Sequence, residues 1–82
     1  MPNWTQENNA LHTTLTFANF TQAFAFMTEV AFAAEAANHH PEWSNVYNHV
    51  TIKLTTHDAG NTVTDKDHQL AKQIDTIFAK YA

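Results

Sequence analysis

Leu11-His12-Thr13-Thr14-Leu15-Thr16-Phe17-Ala18-Asn19-Phe20 is the stretch in which the chain changes period. Leu11, Thr13, Leu15 and Phe17 alternate with His12, Thr14 and Thr16, the rhythm of a half-buried strand. From Asn19 the rhythm is helical: Phe20, Ala23, Phe24, Met27, Ala31 and Ala34 fall on one stripe. Asn19 carries the side chain of an N-cap. Phe26, Val30 and Ala33 widen the stripe to roughly half the circumference, more than the ~100° a one-sided surface helix needs. Two burial partners are therefore expected, a sheet and a second helix or subunit. Pro41 ends the helix at about Ala37, because the residue before a proline is pushed out of the α region.

The same reading extends outward in both directions. Glu7-Asn8-Asn9 supplies turn chemistry, so Trp4-Thr5 belongs to a short strand paired with the one described. Trp43 to Tyr47 and Val50 to Thr56 read as two further strands. In the second, Val50, Ile52 and Leu54 face one way, and His49, Thr51, Lys53 and Thr55 the other. Asp58-Ala59-Gly60-Asn61 is a turn. A last helix begins at Thr64, where Thr64-Asp65-Lys66-Asp67 resembles a capping box with Asp67 in place of the usual Glu. Leu70, Ile74, Ile77, Phe78 and Tyr81 form its apolar stripe. The order β-β-α-β-β-α predicts an α+β fold: one four-stranded antiparallel sheet with both helices on one face.

At 82 residues the chain is read as one domain, 1–82. A domain of this size hides only about 60% of the surface its unfolded chain exposes. No Cys is present to staple it, so a homo-oligomer is expected. The missing Cys also removes thiolate zinc sites and cysteine nucleophiles. Net charge is −4, and Lys53, Lys66, Lys72 and Lys80 are the only basic side chains besides the histidines. Direct nucleic-acid binding, which needs a basic face, is not expected. No apolar run approaches the ~20 residues of a membrane span. Met1-Pro2-Asn3-Trp4 lacks the features of a signal peptide. The expectation is a soluble, cytoplasmic protein.

Chemistry concentrates at Glu35-Ala36-Ala37-Asn38-His39-His40-Pro41 and at Thr56-His57. Histidine exchanges protons near neutral pH. Glu35 and His39 are four residues apart, neighbours on a helix face. A carboxylate there would orient the ring and favour its protonated form, as would the helix C-terminus. Such a ring suits general acid catalysis. The plainer alternative is a structural helix cap. A third reading is zinc held by three histidines, but adjacent His39 and His40 lack the i, i+4 spacing of helical zinc pairs. His12, His49 and His68 read as solvated surface residues. Trp43 and Tyr47 suit either the core or a stacking wall for a planar ligand.

Taken in order, Glu35-x-x-x-His39-His40-Pro41-x-Trp43-x-Asn45-Val46-Tyr47, then Val50-x-Ile52-x-Leu54-x-Thr56-His57-x-x-Gly60, then Thr64-x-x-Asp67, resembles pterin-4a-carbinolamine dehydratase. The likeness takes in Phe20, the Ala23-to-Met27 run and Trp4, and so covers nearly the whole chain. It implies the same α+β fold, here without the extra N-terminal helix of many members, and a homodimer or homotetramer. The implied reaction is dehydration of 4a-hydroxy-tetrahydropterin to quinonoid dihydropterin and water, in tetrahydropterin recycling. The pterin is substrate, and no cofactor or metal is implied. The family's active-site histidines match His39, His40 and His57; Glu35 and Asp67 match its acidic positions. On this reading His39 and His57 are the acid–base pair in either order, His40 orients the pterin, and Glu35 tunes His39. Pro41, Trp43, Thr56 and Asp67 support the site or the substrate, with Trp43 or Trp4 as a wall. The resemblance also admits a non-enzymatic alternative, an interaction module that dimerises through Phe20, Phe24, Met27 and Val30.

Overall fold

A computed structural model describes residues 4–81. Met1 to Asn3, part of the stretch read above for a leader, and Ala82 lie outside the described residues. Strands β1 (Thr5–Glu7) and β2 (Ala10–Thr16) precede helix α1 (Phe20–Ala37). Strands β3 (Glu42–Val46) and β4 (His49–Leu54) follow. A single 3-10 turn (His57–Ala59) then leads to helix α2 (Asp65–Phe78). The sheet is antiparallel throughout, in the order β1-β2-β4-β3. The α+β architecture is the one the periodicities predict.

Local chemistry accounts for the joints. Asn8 and Asn9 both take positive φ, 50° and 63°, so two asparagines make the tight turn between β1 and β2. Asn19 caps α1, its side chain accepting from the Gln22 amide at 2.9 Å. Asn48 ties the β3–β4 turn to the end of β2: its side chain donates to the Phe17 carbonyl at 2.9 Å, and its carbonyl accepts from the Phe17 amide at 2.8 Å.

Pairing of β2 with β4 aligns Leu11 with Leu54, Thr13 with Ile52 and Leu15 with Val50. All six are buried, because side chains two apart share one face of a strand. Both helices lie on that face. Phe26, Val30, Leu70 and Ile74 fill the space between the layers. Phe17 stacks at 4.9 Å from Phe26 and meets Phe78 edge-on at 5.3 Å. The opposite sheet face is polar, with Thr14 bonded to Thr51 and Thr16 to His49.

Three expectations need correction. The buried stripe of α1 is the narrower set Ala23, Phe26, Val30 and Ala34. Phe20 and Phe24 instead point outward, 49% and 57% exposed, as does Phe32, which was not assigned to the stripe and is 75% exposed. Val30, assigned above to an outward docking face, is wholly buried. A choice among so many Phe and Ala residues depends on where the sheet lies, and helical spacing alone does not reveal that. The third concerns His12. It is half-buried, and its Nε2 is enclosed without a hydrogen-bond partner, between Thr5 and Lys53 on the neighbouring strands.

Candidate active site

The end of α1 decides where the first two histidines go. Asn38 adopts the left-handed conformation, φ 52° and ψ 42°. Its amide bonds the Glu35 carbonyl at 3.1 Å, and the His39 amide bonds the Ala34 carbonyl at 3.0 Å. This is the 6→1, 5→2 pattern of a Schellman cap. Asparagine tolerates that conformation at little cost. The helix thus stops at Ala37, by a cap, ahead of the proline expected to stop it.

The cap overturns the pairing expected from spacing. Four-residue neighbours exist only while the helix continues, and His39 lies beyond its end. Glu35 bonds His40 instead, Oε1 to Nε2 at 2.8 Å, with both side chains exposed. His39 turns inward and is only 9% exposed. Its Nε2 meets Asp67 Oδ1 at 2.5 Å.

Asp67 is completely buried at the third position of α2. Its Oδ2 accepts from the Thr64 amide at 2.9 Å and from the Thr56 hydroxyl at 2.8 Å. With its proton committed to Asp67, the Thr56 oxygen accepts in turn from the Thr64 hydroxyl at 2.7 Å. The capping box read from the sequence is present, and here it also anchors a histidine. Burial by itself pushes the Asp67 carboxyl up; the bonds from His39, the Thr64 amide and Thr56 outweigh it and hold the group below its ordinary range. An ionised carboxylate only accepts hydrogen bonds, so His39 donates through Nε2 and its Nδ1 is the nitrogen left over.

His57 enters from the other half of the chain. Leaving β4, the chain forms one bridge between Thr56 and Thr62 that closes a short loop. Within it Gly60 and Asn61 take φ of 83° and 59°. The His57 Nδ1 lies 2.6 Å from Asn61 Oδ1. His57 itself is exposed.

These segments enclose a cavity of about 370 Å³ lined by Asn38, His39, His40, Pro41, Glu42, Thr56, His57, Asp58 and Lys66. That lies within the ~300–1,000 Å³ of typical small-molecule sites. Of the site residues named from the sequence, His39, His40, Pro41, Thr56 and His57 line it. Asp67 sits beneath His39, and Glu35 holds His40 at the rim. Trp43 is not among the lining residues; it packs half-buried against the core beside Ile52. Trp4 is also elsewhere, its Nε1 donating to Asp75 on α2 at 2.8 Å. Neither tryptophan walls this cavity. Lys66, Glu42, Asn38 and Asn61 were not singled out by sequence reasoning. For Asn61 a signal existed: an asparagine after the one glycine of the chain, four residues past a histidine. Among the described residues no group of three or more histidine and carboxylate side chains is arranged to hold a metal ion.

Comparison with known proteins identifies the family and the fold. The family profile described as Pterin 4 alpha carbinolamine dehydratase matches residues 1–77. A Solibacter usitatus protein, provisionally named a pterin-4-alpha-carbinolamine dehydratase, is 58% identical over 76 residues, 93% of this chain and 79% of its own. One from Opitutus terrae with the same provisional name is 53% identical over 74 residues, 90% of this chain and 76% of its own. A solved Brucella melitensis structure, described as a transcriptional coactivator/pterin dehydratase, superposes with a TM-score of 0.86 at 38% identity, covering 90% of this chain and 80% of that one. A pterin dehydratase-like protein described as a RuBisCO assembly factor in the alpha-carboxysome shares the fold, with a TM-score of 0.74 at 19% identity, over 93% of this chain and 87% of its own. With a three-histidine cavity on this fold and a match over nearly its whole length, the chain belongs to the pterin-4a-carbinolamine dehydratase family.

Proposed function

We propose that this chain dehydrates 4a-hydroxy-tetrahydropterin to quinonoid dihydropterin and water, in the cytoplasm, as a step of tetrahydropterin recycling. The observation that carries the reading is the meeting of His39, His40 and His57 on one cavity, with His39 braced by the buried Asp67 carboxylate. In the reaction the lone pair of the ring nitrogen beside C4a forms a C=N bond as the C4a–O bond breaks. The leaving hydroxyl takes a proton from an acid and departs as water. The ring nitrogen then gives its proton to a base. One proton enters and one leaves, so two imidazoles suffice. His39 and His57 serve as this pair, while His40, steadied by Glu35, binds and orients the pterin. Positioned acids and bases typically contribute ~10²–10⁴-fold each.

The test is dehydration of the carbinolamine by the intact chain, with the product followed by absorbance. A His39→Gln, His57→Ala double variant, in which the glutamine amide keeps a donor for the buried Asp67, should retain its fold and lose nearly all activity. Full activity in that folded variant would overturn the reading.

A second reading rests on the outward ridge of α1. Phe20 and Phe24 lie 5.9 Å apart and, with Phe32, are largely exposed. Clustered exposed aromatics usually mark an interaction surface. This favours a homodimer or homotetramer built on α1, or a non-enzymatic interaction module using the same face. Sedimentation of wild type and Phe24→Ser separates them from a monomer: wild type should sediment as an oligomer that the variant weakens. An inactive wild type with a tight heterologous complex would favour the module.

A further inference from the structure

We propose that Asn61 is a positioning residue that holds His57 with its proton on Nδ1, so that Nε2 is the proton acceptor in the reaction. The inference deepens the dehydratase reading and rests on it for the kinetic part.

Neutral imidazole carries one proton, on either nitrogen. In water the Nε2–H form is the more abundant one for a histidine side chain, and a hydrogen bond can reverse that order. The partner of His57 Nδ1 is Asn61 Oδ1, at 2.6 Å. A carbonyl oxygen has no proton to give, so the ring must donate from Nδ1. The loop fixes this acceptor in place. The Asn61 amide bonds the Thr56 carbonyl at 3.1 Å, and the Thr56 amide bonds the Thr62 carbonyl at 3.0 Å. The consecutive left-handed residues Gly60 and Asn61 turn the side chain back toward His57.

His39 and His40 are held the opposite way. Each uses Nε2 to meet a carboxylate, Asp67 or Glu35. Only His57 has a neutral amide as partner and Nε2 left over. This contrast orders the pair left open above: His57 takes the proton from the ring nitrogen, and His39, carrying a second proton on Nδ1 while its Nε2–H stays on Asp67, delivers that proton to the departing hydroxyl.

Asn61→Gly removes the acceptor and keeps the left-handed backbone, which glycine adopts without strain. Asn61→Asp restores an oxygen. The tautomer is read from imidazole nitrogen shifts of the full-length ¹⁵N-labelled chain above the histidine titration range, with His57→Gln identifying the signals. In wild type His57 should show a protonated Nδ1 and a bare Nε2. In Asn61→Gly the Nε2–H form should become prominent while the His39 pattern stays unchanged. The kcat should fall about ten-fold, a part of the ~10²–10⁴ that a positioned base supplies, with KM moving less than about two-fold. Asn61→Asp should recover most of the loss. A wild-type His57 protonated on Nε2 overturns the proposal, and so does an Asn61→Gly chain with unchanged spectrum and kcat. A wild type without dehydratase activity but with the Nδ1–H spectrum overturns the proposed reaction and supports the hold of Asn61 on the ring.

Discussion

Replacing Asp67 with Asn should disable the site and weaken the fold together, and the structure sets the size of each effect. Asp67 is fully buried and accepts three bonds, two on Oδ2 and one on Oδ1. Asparagine offers one acceptor oxygen and an NH₂ group of nearly the same shape. If the NH₂ faced the Thr64 amide and the Thr56 hydroxyl, two buried donors would lose their acceptor. If it faces His39, one ring must move its proton from Nε2 to Nδ1. The second arrangement leaves fewer groups unpaired and should prevail. It removes the charge from bonds worth about 1.5–3 kcal/mol each when one partner is ionised, and we expect a loss of about 2–3 kcal/mol near neutral pH. Urea denaturation reads this directly. With a slope of about 1 kcal/mol per molar for a small chain, the midpoint should fall by about 2–3 M. Activity should drop by about 10²-fold or more, since a neutral amide beside His39 no longer stabilises the doubly protonated ring that delivers the proton.

The pH dependence gives a second reading of the same change. The Asp67 carboxyl is held below its ordinary range in the folded chain. Its stabilisation is therefore complete above the unfolded value of about 3.9, and is lost as pH falls through the lower folded value. The stability gap between wild type and Asp67→Asn should still be present at about pH 5. It should then shrink with further acidification. A variant as stable as wild type at pH 7, or a gap that persists unchanged to strongly acid pH, would refute the reasoning.

Three further outcomes follow from contacts described above or beside them. Phe26→Ala, which empties the wholly enclosed space between sheet and helices, should cost about 3–5 kcal/mol in a denaturation experiment. Glu35→Gln breaks an exposed pair with His40 and should move stability by less than about 1 kcal/mol, in contrast to Asp67→Asn. Glu29 accepts from the Tyr81 hydroxyl at 2.6 Å, and this bond, with some burial, pushes the phenol up. Glu29→Gln should therefore let Tyr81 ionise at lower pH, seen as an earlier rise in tyrosinate absorbance that a Tyr81→Phe control assigns.

Much of this molecule is legible in its sequence because its elements differ in period. The alternation from Leu11 to Phe17, the helical run after Asn19 and the Thr64 box each specify a local conformation. Together they predict the α+β layer that forms. Which residues of α1 face inward was less legible, since apolar side chains occupy most of its circumference. The histidine corner was legible as residue types and misread as contacts. Glu35 and His39 look paired only if the helix runs on to His39. The left-handed turn at Asn38 breaks that periodicity, and asparagine there gives only a weak signal. His39–Asp67 spans 28 residues and depends on how α2 docks, which no local pattern encodes. Trp43 and Trp4 drew attention as possible walls of a planar site; their burial partners are the core and Asp75.

The carboxylate of Asp67 collects donors from three separate segments: the end of α1, the tail of β4 and the first turn of α2. The site is therefore a seam between the two β-β-α halves, and neither half owns it. His39 and His40 belong to the first, His57 and Asp67 to the second. A chain still emerging from synthesis, with only its first half available, would carry two of the histidines and none of the arrangement that aims them. The amide of Thr64, bonded to this same carboxylate, becomes a built-in clock for the seam. The rate at which it exchanges its hydrogen with solvent counts how often this seam opens locally at Asp67, while β2 and β4 stay paired.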